Sequence, residues 1–155
     1  MTLPNASAPV LRRATAADLS AIVRLLADDE LGQTREGGDD RVYALAFAAI
    51  ARDANNVIFV ADIAGTVAGC AQLTVIPGLA RNAVTRGQIE SVRVAPSHRG
   101  RSLGRWLVQE VVEAARRRGC GLVQLTSDKS RPDAHRFYES LGFTASHVGF
   151  KLALR

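Results

Sequence analysis

The 155-residue chain has few of the residues that mark several functional classes. Its two cysteines, Cys70 and Cys120, lie far apart and form no C-x-x-C pair. That argues against a disulfide framework or a thiolate metal centre, and buried free thiols and no resident metal are expected. One tryptophan and two tyrosines leave little for stacking on bases, so no nucleic-acid partner is expected. No apolar run is long enough to cross a bilayer, and the first 13 residues lack the apolar core of a signal peptide, so a reducing cytoplasm is the expected setting. No G-x-G-x-x-G opens the first strand–helix unit and no Gly-Lys-Ser/Thr is present, which removes the common dinucleotide and nucleoside-triphosphate loops. Internal repeats and low-complexity tracts are also missing.

What remains is the composition of a folded domain. Hydrophobic residues at 47% against 23% charged exclude a disordered chain, and 155 residues suit one domain (1–155, with 1–8 as a flexible leader). The net charge of +5 fits an anionic ligand, and fits a generally basic composition equally well. Its densest cluster, Arg116-Arg117-Arg118, falls at the end of a helical pattern, where cations favour the negative helix terminus.

Taken in order, Val10–Arg13 reads as a strand. Thr15 with Asp18 reads as a helix start, with Leu19, Ile22, Val23 and Leu26 as its buried stripe. The acidic, glycine-bearing stretch from Asp28 to Asp40 reads as a loop. A second helix over Arg41–Arg52 should turn Val42, Leu45, Ala46, Ala49 and Ile50 inward. Strands follow from Val57 to Ala61 and from Val67 to Ile76, joined by a turn at Ala64-Gly65. After a loop with Arg81 and Arg86 comes the strand Ile89–Val94, then a helix from about Ser102 to Arg118 ended by Gly119. A strand over Leu122–Thr126, a short helix capped by Ser130, and a last strand over Val148–Leu154 complete the chain. The order β-α-α-β-β-β-α-β-α-β predicts an α/β fold: a mixed sheet with helices on both faces.

One segment organises the rest. In IESVRVAPSHRGRSLGRW (Ile89–Trp106) a β-branched strand ends at Pro96, and a loop of small residues and arginines leads straight into a helix. Loop amides and the positive helix end then converge on one spot suited to an anion. The spacing R-x-x-G-x-G, with Ser102 in place of the first glycine, resembles the pyrophosphate loop of the GNAT superfamily of N-acetyltransferases. A second block, DAHRFYESLGF (Asp133–Phe143), resembles that family's A-x-x-F-Y-E-x-x-G-F motif, in the right order and at the right separation.

The resemblance implies the GNAT fold, in which two parallel strands splay to admit a pantetheine arm, with acetyl-coenzyme A as cosubstrate and an amine as acceptor. Arg99, Gly100, Arg101, Ser102, Leu103, Gly104 and Arg105 then form the cofactor loop. Val92, Arg93 and Val94 lie along the pantetheine, with the Val94 N–H on the thioester carbonyl, and Ser127, Asp133 and Arg136 are further cofactor residues. Tyr138 falls at the position of the tyrosine that protonates the departing thiolate. Glu90 is the candidate base, on the same side of the strand as Val92 and Val94. His135 and His147 are weaker alternatives. Glu30, Arg81 and Arg86 are candidate acceptor contacts, since carboxylates attract a cationic amine and arginines hold an anionic group.

The C-terminal half is similar to aminoalkylphosphonate acetyltransferases, which points to a small amine bearing an anionic group. A protein N-terminus or lysine as acceptor, and a non-catalytic coenzyme A sensor, are the competing readings. A homodimer is a further expectation, with the terminal strand as a possible interface.

Overall fold

A computed structural model describes residues 7–28 and 30–154; the side chain of Glu30 and the first six residues of the expected leader lie outside it. The chain divides into two compact units, one up to Gln124 and one from Leu125 on.

The first unit is built on a five-stranded sheet in sequence order. β1 (Val10–Arg13), β2 (Asn56–Ile63), β3 (Thr66–Ile76) and β4 (Arg86–Val94) run antiparallel to their neighbours, and β5 (Leu122–Gln124) is parallel to β4. The β2–β3 turn falls at Ala64-Gly65, where both residues have positive φ and the Gly65 N–H donates to Asp62 Oδ1 at 2.7 Å. Thr15 precedes a single 3-10 turn, Ala16–Asp18, which feeds α1 (Leu19–Ala27).

Alternation along the strands gives the sheet two different faces. One carries Val57, Ala61, Leu73, Gly87 and Ile89 against α5 (Leu103–Arg117), whose Leu107, Val108, Val111 and Ala115 are buried. The buried leucine, isoleucine and valine side chains stabilise by about 1.5–3 kcal/mol each. Close approach is required here: a Cβ on Gly87 would lie 3.1 Å from the Ala115 Cβ, and one on Gly69 only 2.8 Å from the Arg93 carbonyl oxygen. The other face takes α1, with Ile22 and Leu25 packed on Val60 and Cys70. Burial pushes the Cys70 thiol up to about 12, so it stays protonated, and both cysteines are free.

Several expectations from the sequence change. The acidic stretch holds a short helix, α2 (Glu30–Arg35), ahead of α3 (Asp40–Arg52). Of the α3 residues expected inward, only Ile50 is half-buried; Val42, Leu45, Ala46 and Ala49 are exposed. The helix carries a second stripe, Tyr43, Phe47 and Ile50, and its two aromatic rings have more apolar surface to bury, so that face is the half-buried one. Finally, residues 144–154 form no strand, although their alternation is that of one. Period two creates a strand only where a ladder partner is available.

The second unit holds α6 (Pro132–Glu139), with Pro132 in its first turn. Its N-cap is Arg131. Ser130, expected there, instead gives its N–H and hydroxyl to Asp128 Oδ1. No helix among the described residues is long and apolar enough to cross a membrane.

Beside α1, Arg12 Nη1 meets Asp18 Oδ2 at 2.7 Å and Arg12 Nε meets Asp62 Oδ2 at 2.8 Å. The Thr15 N–H also donates to Asp18 (2.7 Å), and these bonds lower its carboxyl from 3.8 to about 2. A carboxyl depressed on folding stabilises fully above its unfolded value and loses that contribution as pH falls through the folded one. Asp18→Asn is therefore expected to cost about 2 kcal/mol at neutral pH. Denaturation midpoints of variant and wild type should converge as pH drops from 3.8 towards about 2.

Candidate functional site

The end of β4 is irregular in a way that shapes everything around it. Along β3, Cys70 and Gln72 are two residues apart; their partners Arg93 and Glu90 are three apart, and Ser91 between them has φ 56°. This is a β-bulge, one extra residue on β4. It corrects the expected facing of Glu90: opposite residues share a face, so Glu90 lies with Gln72 and Arg93, while Val94, opposite Gly69, lies on the other face.

The bulge coincides with the end of the parallel ladder. β5 pairs with Arg86, Gly87 and Gln88, and from Ile89 on β4 has no ladder partner on that side among the described residues. The Ala95 N–H donates to the Ala68 carbonyl at 2.8 Å, so it points at β3. Successive strand amides alternate in direction, which turns the Val94 N–H to the open edge. The Val94 carbonyl faces the same edge and accepts from Arg99 Nε at 3.1 Å.

The loop beyond is a 3-10 turn, Pro96–His98, followed by two left-handed residues, Gly100 (φ 71°) and Ser102 (φ 62°). Ser102 stands at the N-cap of α5, yet its hydroxyl makes no capping bond. The first helical bond runs from the Trp106 N–H to Ser102 O at 3.1 Å, so the Leu103 and Gly104 amides ahead of it point out of the helix end. The Leu103 side chain is buried and anchors this end in the core, leaving only its backbone for a ligand. Arg99 is engaged on both sides: besides Val94 O it meets Asp28 Oδ2 at 2.7 Å, tying the loop to the end of α1. Arg101 is exposed.

Sequence reasoning missed a polar strip on the α1 face of the sheet. Asn56, Thr74, Gln88 and Gln124 lie side by side across four strands, with Gln72 and Glu90 one step along. Asn56 Oδ1 accepts from Gln72 Nε2 (3.2 Å) and from the Thr74 hydroxyl (2.7 Å), and Gln124 Nε2 donates to Gln88 Oε1 (2.8 Å). The Glu90 side chain is exposed, at the end of this strip. The polar alternation is visible in the chain, but only the register makes it one surface.

The acceptor candidates are more scattered. Arg86 opens β4 opposite Ile76 and Leu122, on the Glu90 face. Arg81 sits in the single turn α4 (Ala80–Ala83), where Arg81, Asn82 and Ala83 are all left-handed. The Glu30 side chain lies outside the described residues.

In the second unit Tyr138 is half-buried, edge-on to Phe137 (centroids 5.1 Å apart) and to Phe143 (5.8 Å). Two edge contacts fix the plane of its ring. Asp133 and Arg136 pair with each other on the exposed side of α6. His135 Nε2 lies 2.8 Å from the Asp128 carbonyl and His147 Nδ1 2.7 Å from the Ser146 hydroxyl, so both rings have local partners. The Ser127 hydroxyl is buried without a hydrogen-bond partner among the described residues, an arrangement suited to a ligand group.

Residues 20–143 match the family model of the acetyltransferase (GNAT) family. Glucosamine 6-phosphate N-acetyltransferase of Trypanosoma brucei brucei is 39% identical over 98 residues, 63% of this chain and 64% of that protein. Aminoalkylphosphonate N-acetyltransferase of Salmonella typhimurium is 40% identical over 68 residues, 44% of each. The chain thus spans less than two thirds of either curated relative. A solved structure from Bacillus halodurans C-125, described as a transcriptional regulator, superposes with a TM-score of 0.90 at 44% identity, over 94% of this chain and 99% of that one. The α5 amides, the left-handed loop and the open Val94 edge fit the diphosphate and acyl arm of acetyl-coenzyme A, the cosubstrate of this family.

A left-handed conformation costs a non-glycine residue about 1–2 kcal/mol. Ser102→Gly should therefore raise stability by about 1 kcal/mol while acetyl-coenzyme A binding is kept. Thermal melts with and without cofactor check both; lost binding would show that the hydroxyl itself is a ligand.

Proposed function

Since the chain belongs to the acetyltransferase (GNAT) family, we propose that it transfers the acetyl group of acetyl-coenzyme A to the primary amine of a small molecule. The observation that carries this reading is the juxtaposition on β4. Glu90 stands free of hydrogen bonds and ion pairs among the described residues, on a polar sheet face, four residues before an amide turned to an unladdered edge.

The cosubstrate supplies an activated acyl group; the chain supplies the rest. The amides of Leu103 and Gly104, with Arg101 beside them, hold the diphosphate. The Val94 N–H donates to the acyl oxygen, where negative charge develops during attack. Glu90 takes the proton of the incoming ammonium, directly or through water, so that a neutral amine attacks. The Tyr138 hydroxyl protonates the leaving thiolate. Holding both substrates together contributes about 7–11 kcal/mol in favourable cases.

The acceptor lies over the polar strip, where Gln72, Gln88 and Gln124 suit hydroxyl or amide groups and Arg86 suits an anionic one. The two curated relatives, named for acceptors that pair an amine with a phosphate or phosphonate, support this class. Two free cysteines support a cytoplasmic setting. The name of the Bacillus relative favours a second reading, a domain that binds coenzyme A without turnover. Thiol release on incubation with acetyl-coenzyme A and a panel of amines separates them: cofactor binding with no release from any amine would establish the sensor.

Tyr138→Phe should lower kcat by about 10²-fold or more with little change in the KM for acetyl-coenzyme A; an unchanged kcat would return Tyr138 to a packing role. Glu90→Gln should lower the rate most at acidic pH, where the amine is most protonated. A pH–rate profile of unaltered shape and height would remove Glu90 as the base.

A further inference from the structure

The polar face of β4 has a direction. Arg86, Gln88 and Glu90 occupy every second position ahead of the bulge, opposite Ile76, Thr74 and Gln72, so all three share one face. Same-face neighbours on a strand are about 7 Å apart. The row therefore runs from a cation through an amide to an anion over roughly 14 Å.

Neighbouring hydrogen bonds fix which way the amides point. Asn56 Nδ2 donates to Asp53 Oδ2 at 2.6 Å, so Oδ1 is the atom Asn56 turns to β3. That oxygen takes Gln72 Nε2 at 3.2 Å, which leaves Gln72 Oε1 as the free end. Gln88 is set the other way. Its Oε1 accepts from Gln124 Nε2 at 2.8 Å, leaving Nε2 free. Neither free end has a hydrogen bond among the described residues, and both reach solvent. Arg86 is half-buried and likewise has no hydrogen bond or ion pair among the described residues. The Glu90 end of the row thus offers acceptors, a carboxylate with an amide oxygen opposite it. The Arg86 end offers donors.

We propose that β4 selects acceptors by the distance between their amine and their anionic group. The ammonium is held by Glu90 and Gln72 Oε1, and the anion by Gln88 Nε2 and Arg86. The two groups are then about 7–10 Å apart, roughly six covalent bonds or more. A phosphate or phosphonate on the carbon next to the amine engages one end only. Gln72 joins Glu90 as a ligand of the amine, its orientation set by Asp53 through Asn56. The place of the amine rests on the acetyl-transfer reading above; the spacing rests on this face alone.

A series of straight-chain aminoalkylphosphonates, with one to seven methylenes, tests the spacing. Calorimetry on the protein saturated with coenzyme A measures binding without turnover, and thiol release from acetyl-coenzyme A is followed in parallel. Affinity should rise about tenfold or more from aminomethylphosphonate to the five- and six-methylene members. Arg86→Gln should bind aminopentylphosphonate no better than aminopentanol. Gln72→Leu should weaken aminopentylphosphonate about tenfold and leave pentylphosphonate, which has no amine, unchanged. Unaltered coenzyme A affinity shows that both variants are folded. Absence of binding by every member, equal affinity along the series, or tightest binding by the shortest member would each overturn the spacing rule. So would an Arg86→Gln protein that still discriminates, or a Gln72→Leu protein that binds both phosphonates as wild type does. Graded binding without thiol release would overturn acetyl transfer and uphold the spacing; thiol release without grading would do the reverse.

Discussion

A strand amide must have a partner, and β4 is arranged so that some of its amides find none in the sheet. Along Arg86–Gln88 it is paired on both sides; after that the β5 ladder stops, and the bulge at Ser91 twists the remainder. An unpaired buried N–H is costly to leave, and rigidly held it is a ready donor for a ligand oxygen. The loop, the helix end and the carboxylate all take their positions from this one interruption. A regular β4 fully paired with β5 would close the edge and put Glu90 on the Val94 face.

The scaffold keeps that interruption rigid. α5 lies close against β3 and β4 because Gly69 and Gly87 leave no Cβ in its path, and its N-terminus is pinned by the buried Leu103 side chain. The loop between is held from behind, where Arg99 ties the end of β4 to Asp28 after α1. The helix-end amides and the strand edge are thus held together, as positioning chemistry requires. The left-handed Ser102 is the strained element, held where glycine would fit without cost.

Much of this was legible beforehand because it depends on local chemistry. The Ala64-Gly65 turn, the Thr15–Asp18 helix start, the Gly119 stop and the strand-to-helix passage at Pro96 each follow from a few adjacent residues. Other features depend on what lies across space. α3 has two apolar stripes, and only the neighbours it packs against decide which is turned inward. Ser130 looked like a helix cap but serves an Asp128 turn one residue earlier. The strip from Asn56 to Gln124 joins residues up to 68 positions apart and exists only through register.

The sequence alone determined most of the element types up to Gln124, the strand-to-helix passage between β4 and α5 and the family to which both blocks point, since each is encoded within a dozen contiguous residues. Tertiary structure decided which face each side chain occupies: a one-residue bulge moves Glu90 away from Val94 and beside Gln72, and no local pattern announces it. It also decided that residues 148–154 are not a strand within the chain, because a strand is a relation between two segments and a sequence shows only one of them.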